Sequence, residues 1–554
     1  MLQDSDLISI QEVRSKVEQA YAAWGRYRTF SQEQIDTIIE AMAAAARTHS
    51  QRLAELAVQE TGYGNAPSKY AKNMLAAEIL PARMRGMRTT GILREIPEQG
   101  IVEIGTPMGV VAAILPTTNP TSTAIYKTLI ALKAGNAVVI SPHPRARACS
   151  CETAAILADA AQKAGAPEGL IGCLSGASLE GTTELMRHAR TAVILSTGGA
   201  GIVRAAYSSG TPAYGVGPGN VPVLVDTSAD LGQAVAGVIE GKSFDYGTLC
   251  SSEQTLVAER SLHDRILAEL KSRQAFLCDA AQTKALETLL ISRNFAINPD
   301  CVGQSPQKIA QMAGFEVPAD TSIIAAEIGG IGNAHPLSAE KLSPVLSLYF
   351  VDDFAAALDA CEAVLQFGGL GHTCGIYAKD DSRIRAYAMR MPAFRVVANT
   401  PTPKGSTGIS TNVFPAMTLG CGAVAGNSTS DNVSPMHLVN VKRLAYPKNQ
   451  EVRSQAEEVR SQKSEVRMTE KAPDRTEIVA AVERFLARKG SSLTLPAEAD
   501  EPKPVSVVDF VCEDDVRRAI KDSKKIFIGP KTIVTPSARD LANHNDVLVL
   551  TSRK

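Results

Sequence analysis

The chain has no excess of either charge and no long apolar run. Its 57 Lys and Arg nearly balance 58 Asp and Glu, for a formal net charge of −1. That balance removes any global pull toward nucleic acid or an anionic membrane, so a small-molecule partner is the starting assumption. No apolar stretch approaches the ~20 residues of a membrane span. The N-terminal MLQDSDLISIQEVRSKVEQA lacks the basic start and apolar centre of a secretory signal. Ten cysteines scattered over 554 residues make no disulfide framework, and the expected setting is the reduced cytoplasm. Cys149 and Cys151 form a CxC, but no second Cys/His pair stands at zinc-like spacing. Buried thiols rather than a metal are expected there.

What is present is ordinary globular material. Hydrophobic residues make up 45% and charged residues 21%, enough to bury a large core. The length suggests about three or four domains at ~150 residues each. Residues 10–90 carry apolar side chains at i, i+3 and i+4 and read as helices. From 100 onward short β-branched runs appear: GVVAAILP, AVVISP, TAVILST and VPVLVD. Helical stretches such as SCETAAILADAAQKAG separate them, a pattern of parallel, doubly wound α/β sheet. A second α/β block runs from 223 to about 420. The expected division is 1–222, 223–420, and a return segment at 421–447.

Past Pro447 the texture breaks. EVRSQ occurs twice and EVR a third time, and 448–473 reads as a charged, solvated linker. Within 474–489, Ile478, Val482, Phe485 and Leu486 share one helical face. That helix could dock on its own protein or enter a partner's groove. Residues 505–554 show a compact βαβαβ pattern, with Thr535 and Pro536 as a helix start.

The chemistry centres on SFDYGTLCSSEQ at 243–254. Cys250 lies among Gly247, Thr248, Ser251 and Ser252, so no bulky neighbour blocks a small electrophile. A thiolate attacks an aldehyde readily and holds the product as a thioester. Asn119, in LPTTNPTSTAIYKT, could donate its amide to the developing oxyanion, or simply form an Asx-turn before Pro120. ILSTGGAGIVRAA reads as strand, glycine turn and helix start, whose backbone N–H groups could meet an anionic or nicotinamide group. GVGPGN at 215–220 is a second glycine cluster. Neither matches the GxGxxG fingerprint with its downstream acid.

Together, Leu115–Asn119, SPHP at 141–144, Thr197–Gly199, Gly215–Asn220, the Cys250 motif, EKLSPV at 340–345, GGLGHT at 368–373 and VVANTP at 396–401 resemble the aldehyde dehydrogenase superfamily. They most resemble its CoA-acylating branch, over about 1–447. The resemblance implies two doubly wound α/β domains plus an oligomerisation hairpin. It implies NAD as cofactor, coenzyme A as co-substrate, and a homo-oligomer, dimer or tetramer. It makes Cys250 the nucleophile, Asn119 its oxyanion partner, and Glu340 the ligand of the nicotinamide ribose. Thr117, Ser141, Pro142, His143, Thr197, Gly198, Gly199, Gly217 and Gly219 fall at cofactor-binding positions. His372 matches a histidine of acylating relatives and could serve as acid/base, orient cofactor or CoA, or be structural.

Departures from the family pattern carry information. Hydrolytic relatives keep a glutamate base in the stretch matching PAYGVGPGNVPV (212–223), which here holds no Asp or Glu. Water is then a poor attacker of a thioester and a free thiol a good one, pointing to CoA. Tyr246 stands where relatives often have Asn, which leaves the aldehyde open. Ser141 replaces a lysine used near the adenosine ribose, and Arg145 and Arg147 could meet a 2′-phosphate. The tail resembles encapsulation segments of bacterial microcompartment enzymes. It implies a shell-protein partner for 474–489, a microcompartment lumen, and an aldehyde of two or three carbons. Rival readings are a hydrolytic or phosphorylating semialdehyde enzyme and a non-catalytic microcompartment scaffold. An alcohol-forming fusion is not expected, with 107 residues after Pro447.

Overall fold

A computed structural model describes residues 4–176, 178–292, 295–447, 508–522, 524–543 and 547–550. The linker at 448–473 and the helix expected at 474–489 lie outside the described residues. The chain divides into two compact units, 1–449 and 450–554.

The first unit begins with two long helices, Ser5–Tyr27 and Gln32–Thr61. Ser31 starts the second: its hydroxyl accepts the Gln34 N–H while the Gln34 side chain returns to the Ser31 N–H. Gly62, at φ 70°, ends it in the left-handed conformation that glycine adopts freely. A short helix, Ala66–Met74, follows, capped by the Asn65 side chain.

Five parallel strands then form one sheet, in spatial order Ile171–Cys173, Ala137–Ser141, Val110–Ile114, Thr191–Thr197, Ala213–Val216. Val110–Ile114 and Ala137–Ser141 are buried at every position. Continuous β-branched runs suit a sheet covered on both faces. The strand order reverses beside Val110–Ile114, the place where open α/β sheets leave a crevice for ligand at the strands' carboxyl ends.

A second, seven-stranded parallel sheet has the order Ala275–Leu277, Ile323–Glu327, Val345–Val351, Glu253–Glu259, Val221–Val225, Cys374–Tyr377, Val396–Ala398. The change of sheet falls between Val216 and Val221. A small antiparallel sheet joins Gly91–Ile96 and Ile101–Pro107 to the returning Val439–Ala445. The second unit contains a parallel three-stranded sheet, with Ile526–Val534 between Val508–Val511 and Leu548–Leu550. Its Thr535 hydroxyl accepts the Ala538 N–H at 3.3 Å, the helix start expected from sequence.

Each unit has its own buried core. Ending the chain after residue 449 should therefore leave the first unit folded, with unchanged thermal midpoint and unchanged rate of Cys250 alkylation. Aggregation of the shortened chain would contradict this division.

Candidate active site

The segments expected to hold cofactor, that of Glu340 apart, lie at the carboxyl ends of strands in the five-stranded sheet. Thr117 and Asn119 follow Val110–Ile114, and Ser141, Pro142 and His143 end or follow Ala137–Ser141. Thr197, Gly198 and Gly199 end or follow Thr191–Thr197, and Gly217 and Gly219 follow Ala213–Val216. Topology therefore collects along one edge what the sequence spreads over about a hundred positions. Gly199 opens the helix Ala200–Tyr207 without a side-chain cap. Thr197 Oγ1 sits 3.3 Å from Thr418 Oγ1, and Gly198 N–H donates to the Val216 carbonyl at 3.4 Å. Ser141 is turned inward: its hydroxyl meets Thr182 Oγ1 at 2.8 Å and its carbonyl accepts the Leu115 N–H. His143 is exposed, and its Nδ1 accepts the Arg145 N–H at 3.1 Å.

The second sheet supplies the opposite wall from the entry ends of four neighbouring strands. Glu340 precedes Val345–Val351, Cys250 precedes Glu253–Glu259, Gly219 precedes Val221–Val225, and His372 precedes Cys374–Tyr377. His372 Nε2 thereby lies 3.1 Å from Cys250 Sγ, although 122 positions separate them. The middle strand leaves room only because its entry residue is glycine. A Cβ on Gly219 would fall 2.3 Å from the Cys250 carbonyl oxygen and 3.0 Å from the His372 ring. Gly371, directly before His372, has φ 75°, and a Cβ there would stand 1.9 Å from the Cys421 carbonyl.

Burial sets the protonation of this pair. The Cys250 thiol is pushed up to about 12, by burial and then by the Glu340 carboxyl, with Arg395 opposing. The resting sulfur is thus a thiol, not the thiolate that attack requires. Burial, and then the Arg395 guanidinium, pull His372 down to about 3, so the imidazole is neutral. Its Nδ1 faces Thr373 Oγ1 at 3.0 Å. With the imidazole proton on Nδ1, the Nε2 lone pair is the acceptor for the Cys250 S–H. Arg395 is itself locked, donating to the Gly371, Gly420 and Ser430 carbonyls.

The stretch 212–223 carries no carboxylate, but one reaches it. Glu340 Oε1 accepts the Gly219 N–H at 3.1 Å. Burial raises Glu340 to about 8, so it is protonated below that pH.

Asn119 caps the helix Pro120–Lys133 through its backbone alone, with no local side-chain cap bond. Its amide does not form an Asx-turn. Instead Oδ1 accepts from Lys72 Nζ, and Nδ2 donates to Thr118 Oγ1 at 3.0 Å. Lys72 in turn pairs with Asp245, as does Lys69 at 3.1 Å. All three charged groups are 2% exposed or less. Burial opposes ionisation of Asp245, but Lys69 and Lys72 hold its carboxyl below the usual range. Sequence reasoning missed this cluster. The available signal was an i, i+3 lysine pair on a predicted helix, plus an acid inside the cysteine loop.

Tyr246 follows Asp245 with φ 53°. Asn adopts that left-handed conformation more readily than Tyr. The departure at this position therefore concerns the backbone as well as the pocket.

These walls fit a dinucleotide. The crevice lies at a topological switch point, backbone N–H groups open a helix at Gly199, and a buried carboxyl stands between the sheets. Among the described residues, no cluster of His, Cys, Asp or Glu is arranged to hold a metal ion.

The fold and site are those of the aldehyde dehydrogenases. The aldehyde dehydrogenase family profile matches residues 4–282, and the chain belongs to that family. It is 41% identical to the bifunctional aldehyde-alcohol dehydrogenase of Escherichia coli over 442 residues, 79% of this chain and 50% of that one. The chain thus spans about half the length of that relative. An acetylating aldehyde dehydrogenase from Geobacillus thermoglucosidasius superposes with TM-score 0.79 at 48% identity, covering 80% of this chain and 98% of that one. Two propionaldehyde dehydrogenases superpose at 28% identity. One, from the Clostridium phytofermentans fucose utilisation bacterial microcompartment, has TM-score 0.72 and covers 79% of this chain and 98% of its own. The other, from Rhodopseudomonas palustris with bound propionyl-CoA, has TM-score 0.71 and covers 78% and 94%.

Alkylation of Cys250 by iodoacetamide should climb about tenfold per pH unit between about pH 6 and 10, because only the thiolate reacts. An ordinary thiol would level off near its pKa of about 8.5. A plateau there would show that burial does not control the sulfur.

Proposed function

We propose that this protein is an NAD-dependent, CoA-acylating aldehyde dehydrogenase acting on aldehydes of two or three carbons. The observation that carries the reading is the 3.1 Å contact between Cys250 Sγ and His372 Nε2, beside a stretch with no carboxylate of its own. Relatives named as acetylating or crystallised with propionyl-CoA support it.

The residues perform the chemistry in order. Cys250 Sγ adds to the aldehyde carbon while its proton passes to His372 Nε2. The developing alkoxide takes a hydrogen bond from the Asn119 amide. The loops at the carboxyl ends of the first sheet would hold NAD, with Glu340 toward its nicotinamide ribose, and NAD bound there would supply the hydride acceptor. Loss of hydride leaves a thioester on Cys250. His372, neutral again after releasing its proton, takes the proton of the incoming CoA thiol. The CoA sulfur then displaces Cys250, whose sulfur takes the proton back from His372 Nε2, and acyl-CoA leaves. Water competes poorly, because a thiol is the better nucleophile toward a thioester and 212–223 carries no carboxylate of its own to activate water.

NAD rather than NADP is our preference. Arg145, with Lys308 across a cleft of about 460 Å³, is where a phosphate on either cofactor or CoA would be read. We further propose a homo-oligomer built on the antiparallel sheet of Gly91–Ile96, Ile101–Pro107 and Val439–Ala445, whose strands expose Ile92, Val441 and Leu444. A microcompartment lumen, with residues 474–489 docking on a shell protein, is supported by the tail's composition and by the microcompartment relative.

NADH formation from acetaldehyde or propanal should require CoA for sustained turnover. Cys250→Ala should reduce it to background, and His372→Ala should reduce it by ~10²–10⁴. Sustained turnover to free acid without CoA would refute the acylating assignment. Since His372 is neutral well below its usual pKa, kcat/KM should show no acid limb near pH ~6.5. A limb there, lost in His372→Ala, would contradict the neutral imidazole.

A further inference from the structure

We infer that Lys72 is a positioning residue, which with Asp245 fixes the amide of Asn119 so that an N–H faces the reacting oxygen. The inference rests on the proposed role of Asn119 as oxyanion donor.

Lys69 and Lys72 stand three apart on the helix Ala66–Met74 and so share one face. That face is buried against both reactive loops. Lys69 Nζ donates to the Thr118 carbonyl at 2.9 Å, which holds the backbone just before Asn119. Lys72 Nζ donates to Asn119 Oδ1 and to Asp245 Oδ2. Asp245 also accepts the N–H of Asn65, the residue before that helix, at 2.9 Å and the Thr248 hydroxyl at 2.6 Å. Asp245 and Thr248 belong to the loop that ends in Cys250. The cluster therefore ties the nucleophile's loop to the loop of its oxyanion donor.

The chemistry of the amide makes this directional. Burial pulls Lys72 down to about 7 against the pull of Asp245, and in its ammonium form Lys72 donates only, so the atom facing it is the amide oxygen. Both Asn119 N–H groups then point away from Lys72. One goes to Thr118 Oγ1, and the second is left for a reacting oxygen. The flipped amide would set donor against donor at a buried position, leaving both groups unmet. Asp245 holds the ammonium in place. It does so from φ 49°, a conformation uncommon outside glycine that its four hydrogen-bond partners maintain. A donor fixed before reaction stabilises an oxyanion without reorganisation.

A double-mutant cycle on the full chain separates positioning from bulk stability. Steady-state rates with acetaldehyde, NAD and CoA would be measured for Asn119→Ala, Lys72→Met and the pair, with NAD affinity measured by fluorescence titration. Asn119→Ala should lower kcat by ~10²–10³. Lys72→Met should lower kcat at least tenfold at unchanged NAD affinity, and should add less than twofold in the Asn119→Ala background. Lys72→Gln, whose amide can still donate to Oδ1, should recover most of the loss. Equal losses from Lys72→Met in both backgrounds would overturn the proposal and leave Asn119's role standing. No loss from Asn119→Ala would instead remove the oxyanion reading itself. Should Lys72→Met not fold, the cycle is run on Lys72→Met/Asp245→Asn. Failure of both to fold would make Lys72 structural and overturn the proposal.

Discussion

Strand Val221–Val225 runs between the strands that follow Cys250 and His372, and its entry passes close against the Cys250 carbonyl and the His372 ring. Glycine at 219 is what permits this passage, because a Cβ would occupy space already taken by the Cys250 carbonyl. The rest of the site depends on that close approach. With the three strands in parallel register, Sγ and Nε2 meet at 3.1 Å with no loop needed to carry either residue across. The same glycine offers its N–H to Glu340, so Cys250, His372 and the buried carboxyl all pack against one backbone segment.

Burial has opposite consequences for the members of this set. It keeps Cys250 protonated, His372 neutral and Glu340 uncharged near neutral pH, since each would be costly as an unpaired ion. Nearby it encloses Asp245 with Lys69 and Lys72, both of which pair with its carboxyl and hold it ionised, while burial pulls Lys72 down to about 7. The reactive pair is thus quiet until substrate arrives, while the charged cluster beside it is rigid. Proton movement occurs where groups are neutral, and geometry is held where they are charged.

Much of the framework was legible from the chain. VVAAI, AVVIS and VPVLV are unbroken apolar runs, and such runs form strands covered on both faces. Cys250 stood out through its small neighbours. Asn119 and His372 carried little weight as single residues and became readable through the ordered motifs of the family. Sheet order was not legible: nothing in the local sequence says that the strand after His372 lies one place from the strand after Gly219. The lysine–aspartate cluster was invisible for a related reason. Charged residues on a helix are expected to face solvent, and only tertiary packing turns Lys69 and Lys72 inward. Ser141 marks the converse case, a position assigned to cofactor whose hydroxyl the fold takes for itself.

The central claim is that Cys250 carries an acyl group which a thiol, not water, removes. Peptide mass spectrometry after mixing the protein with propanal and NAD, without CoA, tests it directly. The account predicts a propionyl mass increment on the peptide containing Cys250, lasting in buffer and lost on addition of CoA with formation of propionyl-CoA. An adduct that buffer clears as fast as CoA does, or one found on another cysteine, would contradict it.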